Sequence, residues 1–166
     1  MLDYGHEASR HIDGEMIADA KAFPFTIEAI AKDFTKKEIA SLRNDVPNPE
    51  YDDLIKKLML NVFETSKRLF QTLPNVRKIP GIKELPNYFI FRGALCAHLL
   101  ALDWITFAGA KGAKDAKTIT IRNDMVDANF VAFATYFDGL LSSDKKCKRI
   151  HSHARKILAI VYNRHI

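Results

Sequence analysis

Cysteine is almost absent from this sequence. Cys96 and Cys147 are the only two, they lie far apart, and neither has a second cysteine within metal-ligand spacing. That excludes a zinc ribbon and a disulfide framework, and both side chains read as reduced thiols of a cytoplasmic protein. Glycine and proline are scarce too, at 7 and 6 of 166 residues, which excludes collagen-like and low-complexity chains. The first residues, Met1, Leu2, Asp3 and Tyr4, supply neither the basic nor the apolar part of a secretory signal, so export is not expected. Long apolar runs are missing except over 89–108, and that run carries Arg92, His98 and Asp103. A carboxylate at the centre of a membrane helix costs about 2.5–3.5 kcal/mol, so a core helix is expected there, and no membrane partner. The GAKGAK stretch at 109–114 lacks the GxxxxGK[ST] order and a preceding strand, which removes a phosphate-binding loop.

What is present suits a soluble globular chain. Hydrophobic residues make up 48% and charged residues 27%, enough for one domain, 1–166, with its own core. The formal charge is +5, which permits a polyanionic partner. The excess is local: residues 1–144 hold 18 basic and 20 acidic side chains, whereas 145–166 hold seven basic and none acidic.

Prolines divide the chain into blocks. A helix is predicted around 7–20, then a short extended segment over 22–26, because Pro24 biases Phe23 away from the helical region. A helix over 27–34 follows, with Thr26 as its N-cap. Thr35 and Glu38 have capping-box spacing and open another helix to about Leu42. Residues 44–49 read as a loop. Over 51–73, Ile55, Leu58, Met59, Val62, Phe63, Leu69 and Phe70 recur at helical spacing and predict an amphipathic helix. Loops are predicted at 74–87 and 109–117 around the apolar helix.

The last third changes pattern. Thr118, Ile119, Thr120 and Ile121 form a β-branched strand candidate, 124–137 a helix, 139–142 a short apolar strand, and 145–161 a helix. That succession predicts a parallel crossover unit, hence an α/β fold with a small parallel sheet and a helix-rich insertion. Val126, Phe130, Phe133 and Phe137 share one stripe of the first of these helices, with Asp127 off it. Asp127 and Asp144 each follow a predicted strand, and such strand ends line the edge where open α/β sheets bind ligands. Capping explains single residues equally well: Asn123 or Asp124 for one helix, Ser143 or Asp144 for the next.

The run Asn123, Asp124, Met125, Val126, Asp127, with Ala134, the apolar strand and Ser142, Ser143, Asp144, Lys145, resembles the C-terminal half of PIN-domain nucleases over residues 118–160. The resemblance implies an α/β PIN-like domain and an acidic cluster whose third and fourth members are Asp127 and Asp144. It implies Asp3 as the first member, with only Met1 and Leu2 left of the opening strand. The second falls on Asp33 in preference to Glu28. Such a cluster implies Mg²⁺ or Mn²⁺, because hard divalent cations relieve the repulsion between converging carboxylates and activate water for phosphodiester hydrolysis. The implied activity is that of a metal-dependent endoribonuclease. The shortened first strand fits instead a PIN-like module that has lost catalysis and binds RNA or protein. Lys145, Lys146, Lys148 and Arg149 are the nucleic-acid-binding candidates, on a helix with no acid to repel phosphates. RNA is the expected partner; a protein inhibitor is a further one, and apolar helix faces leave room for a homo-oligomer. His151 and His153, two apart, are expected at the surface; His98, Asp103 and Arg92 as satisfied core polar groups, Arg92 paired with a carboxylate; Trp104 in the core.

Overall fold

The structure, a computed structural model, describes residues 3–44, 51–74 and 78–163, with side chains from residue 16 onward except at 108, 110, 111, 162 and 163. Among the described residues there are six helices, α1 (Asp3–Asp33), α2 (Lys36–Asn44), α3 (Tyr51–Thr72), α4 (Phe89–Asp115), α5 (Thr118–Ala134) and α6 (Lys145–Asn163), with one 3₁₀ turn, Leu85–Asn87, ahead of α4. Helix α4 is the axis of the bundle, and α1, α2, α3, α5 and α6 all pack on it. It is buried around most of its circumference, through Phe91, Leu95, Cys96, Leu99, Leu100, Ala101 and Leu102. Its segment Phe89–Phe107 is long and apolar enough to cross a bilayer by length and composition alone, but the other helices wrap it. Helix α6 contributes Cys147, Ile150, Ala154, Ile157 and Leu158, a stripe at helical spacing, to the same core.

The α/β architecture with a parallel sheet is corrected here: the described residues contain no strand. Residues 118–121, read as a strand, form the first turn of α5. Intrinsic β-preference is weak against packing. In helical register Ile121 seats itself with Ala128, Val131 and Ala132 against the bundle. Residues 139–142, read as a strand, belong to neither helix nor strand: Leu141 stands in solvent while Leu140 packs on the core. The Phe130, Phe133 and Phe137 stripe consequently faces outward, with Phe133 stacked on Phe89 at 4.2 Å between centroids.

One predicted break is absent and another is shorter than expected. Helix α1 runs through Pro24, where an extended segment was expected over 22–26. A proline inside a helix costs about 3 kcal/mol, and burying Phe23, Ile27 and Ile30 beside it, at about 1.5–3 kcal/mol per side chain, offsets that. Of the 109–117 loop, 110–115 is helical, but the expected break at Gly109 is real: its φ of 67° and ψ of 168° are non-helical, suit a residue without a Cβ, and join two helical segments across a kink. Other expectations hold: α3 lies where the apolar spacing put it, and α6 covers the helix expected over 145–161. Thr35 and Glu38 form the reciprocal capping box, the Thr35 N–H donating to Glu38 Oε2 (2.6 Å) and the Glu38 N–H to Thr35 Oγ1 (3.2 Å). The 44–49 loop falls mostly outside the described residues.

Candidate functional site

The C-terminal half of α4 and the first turns of α5 and α6 surround an open cleft of about 470 Å³. Helix α4 supplies Asp103, Trp104 and Phe107, helix α5 Thr120 and Asp124, and helix α6 Lys145, Lys146 and Arg149. Two carboxylates organise it. Asp103, only 4% exposed, accepts from Arg43 Nε at 3.0 Å and from Arg149. Asp124 accepts from the Trp104 indole N–H at 3.0 Å and from Lys146. The Arg43 guanidinium, reaching over from α2, lies 4.3 Å from the centre of the Phe107 ring, which is 71% exposed. Lys145, at the mouth, makes no ion pair among the described residues. Three cations, two carboxylates and two aromatic side chains thus line the cleft, and Arg43 reaches Asp103 and Phe107 from outside that lining.

Three of the four nucleic-acid-binding candidates, Lys145, Lys146 and Arg149, line this cleft, and Lys148 stands exposed on the same helix. The four metal candidates are not assembled in the same way. Asp144 is the N-cap of α6, its Oδ1 accepting the Cys147 N–H at 2.8 Å. Asp127 is half-buried on α5, and both carboxylates act on the Cys147 thiol. Asp33 ends α1 and accepts from Asn61 of α3 at 3.1 Å, and the Asp3 side chain lies outside the described residues. Glu28, the other candidate for the second position, holds Lys114 at 2.8 Å. Mg²⁺ or Mn²⁺ needs several oxygens in one shell. Among the described residues no three His, Cys, Asp or Glu side chains are placed to share an ion.

Sequence reasoning put Asp103 and Trp104 in the core and Asp124 at a cap, and so missed that all three face one cleft. The only signal for Asp103 is a carboxylate inside an apolar run. His151 and His153 are buried rather than at the surface. His151 shares a hydrogen bond with the Ala134 carbonyl (3.2 Å), and His153 with the Tyr51 hydroxyl (3.1 Å). His98 is a core polar group as expected: Nδ1 bonds the Ala94 carbonyl at 2.8 Å, and burial lowers its pKa. Arg92 donates to the carbonyls of Pro86 (3.0 Å) and Thr135 (2.8 Å) and lies 3.7 Å from the Tyr136 ring centre. It latches the end of α5 to α4.

The bond from the Cys147 amide holds the Asp144 carboxyl below its ordinary pKa. A depressed folded pKa means that this cap stabilises above the unfolded carboxylate value, near 3.9, and that its contribution is lost as pH falls through the lowered one. Asp144→Ala is expected to cost about 1 kcal/mol at pH 7 and much less at pH 2.5, read from urea melts at both. Burial pushes the Cys96 thiol up to about 12. It also pushes Cys147 up to about 11, with Asp127 and Asp144 adding to the rise. Thiolate is the reactive form, so neither cysteine is expected to react with Ellman's reagent within minutes at pH 7.5 in the native state, while both react at once in denaturant.

Comparison of the chain with protein-family models, curated proteins and solved structures gave no match.

Proposed function

We propose that this chain binds single-stranded RNA through the start of α6 and the cleft beside it. One observation carries the reading: Lys145, Lys146 and Arg149 line one cleft together with Trp104 and the exposed Phe107. Proteins that hold single strands combine these two elements, cations along the backbone and aromatic faces for the bases. Lys145, Lys148 and Lys156 are exposed along α6, which carries no carboxylate of its own. Each phosphate neutralised releases condensed counterions, and each stacked base is worth about 1–3 kcal/mol.

Fluorescence anisotropy of a labelled oligouridylate between 50 and 200 mM salt tests this. Affinity is expected to fall with log salt, and the double substitution Lys145→Ala, Lys148→Ala to flatten that slope by about 1.4, or 0.7 for each phosphate no longer neutralised. No binding at 50 mM salt, or an unchanged slope in the variant, rules the reading out. Cleavage of the oligonucleotide in Mn²⁺, lost in both Asp127→Asn and Asp144→Asn, would favour the hydrolytic alternative instead.

A further inference from the structure

The geometry points to a second surface, outside the cleft: we infer that the end of α5 and the segment leading from it to α6 lie on an anionic lipid bilayer. This does not rest on the RNA-binding reading. Nor does it involve a span over 89–107, since the other helices wrap α4.

Apolar exposure is the first argument. Phe130, Phe133 and Phe137 share one stripe and are each more than half exposed, and Leu141, four residues further on, stands wholly in solvent. The three rings leave on the order of 400 Å² in water. A contiguous apolar patch of that size, rimmed by polar residues, marks a contact surface.

Charge selects the partner. The segment that holds Leu141 is tied to α6 at both ends: the Asp138 carbonyl accepts from Arg155 at 2.7 Å, and Asp144 caps the first turn. The exposed face of α6 carries Lys145, Lys148, Arg155 and Lys156 and no carboxylate. The acids near it are already engaged or recessed. Asp138 lies 3.8 Å from Arg155, Asp144 accepts the Cys147 N–H, and Asp127 is half-buried. Phenylalanine and leucine beside lysine and arginine is the composition that inserts shallowly at a membrane interface, while the cations meet anionic headgroups.

Area and shape favour a bilayer over a protein. A stable protein interface buries about 800 Å² on each partner, roughly twice what the rings supply. Peptide helices dock in grooves, whereas Leu141 projects with no side of it covered. A fluid bilayer takes projecting side chains without a matching shape.

Co-sedimentation of the intact chain, without RNA, tests this with vesicles of phosphatidylcholine alone and with one third of it replaced by phosphatidylserine. Binding is expected to the anionic vesicles only. Lys148→Ala is expected to weaken it about fivefold, and Phe130→Ala with Phe137→Ala at least about tenfold, the helical circular dichroism being unchanged. An environment-sensitive fluorophore on Leu141→Cys is expected to shift to shorter wavelength on those vesicles; Cys96 and Cys147 are buried and stay unlabelled. The same label on Phe25→Cys, as exposed as Phe130 but beside Lys114 just ahead of α5, keeps its emission in water. Failure to bind anionic vesicles, equal binding to both kinds, or an unshifted Leu141→Cys label overturns the inference and leaves the RNA-binding reading standing. Binding that survives the lysine and the phenylalanine substitutions overturns the assignment to this surface. A dimer that the double phenylalanine variant dissociates in sedimentation velocity gives the face to a second copy instead. Loss of oligouridylate binding in that variant gives it to nucleic acid, and either result overturns the inference.

Discussion

Asp103→Ala is expected to lower the unfolding free energy by about 3 kcal/mol, although it removes only one small side chain. The carboxylate is 5% exposed and sits between guanidiniums from two other helices, Arg43 on α2 and Arg149 on α6. Removing it leaves two positive charges with neither a counter-ion nor full hydration. Breaking a buried pair in this way costs about 3–5 kcal/mol; the low end applies because Arg149 is a third exposed and regains water. Asp103→Asn keeps the shape and an acceptor oxygen and should cost less. The contrast is with Lys67→Ala, which breaks the exposed pair to Glu64 and is expected to change stability by under about 0.5 kcal/mol. Urea denaturation of the three variants measures this, and an Asp103→Ala midpoint equal to that of the wild type would remove Asp103 as the organiser of the cleft.

The same carboxylate shows what could be read from the residues and what could not. Signals that act within one or two turns were legible. The Thr35 and Glu38 capping box and the apolar stripe of α3 describe contacts three, four or seven residues apart, and each helix lies where they put it. The basic side of α6 was legible for a similar reason, because seven cations with no acid stand in one stretch of chain. The cleft was not. Asp103 meets Arg43 across 60 positions and Arg149 across 46, and no periodicity encodes either meeting. Where local preference opposed packing, packing won. Pro24 stayed inside α1 because Phe23, Ile27 and Ile30 are buried around it, and the β-branched residues 118–121 turned helical because that register buries Ile121. His153 illustrates a third failure: it lies between Ile150 and Ile157 on the core stripe, and the Tyr51 hydroxyl of α3 supplies the partner that makes its burial tolerable.

A larger effect, about 4 kcal/mol, is expected from Phe91→Ala, and it bears on the absence of a sheet. Phe91 is fully buried on α4 and stacks on Phe63 of α3 at 5.2 Å between centroids, so truncation opens a cavity where two helices meet. Phe130 and Phe137 are the same residue type at or just past the end of α5, yet they are 66% and 67% exposed. Phe130→Ala and Phe137→Ala should each stay within about 0.5 kcal/mol of the wild type. At position 130 part of the small packing loss is recovered, because alanine is the better helix former. Phe133→Ala falls between, through its stacking on Phe89, which is worth about 0.5–1.5 kcal/mol. In a parallel crossover unit the helix between the strands lays its apolar stripe on the sheet, so Phe130, Phe133 and Phe137 would all be covered and would each cost about as much as Phe91. Four urea melts therefore separate the two architectures: one large loss, one intermediate and two small ones belong to the helical bundle, whereas four losses of similar size would contradict it.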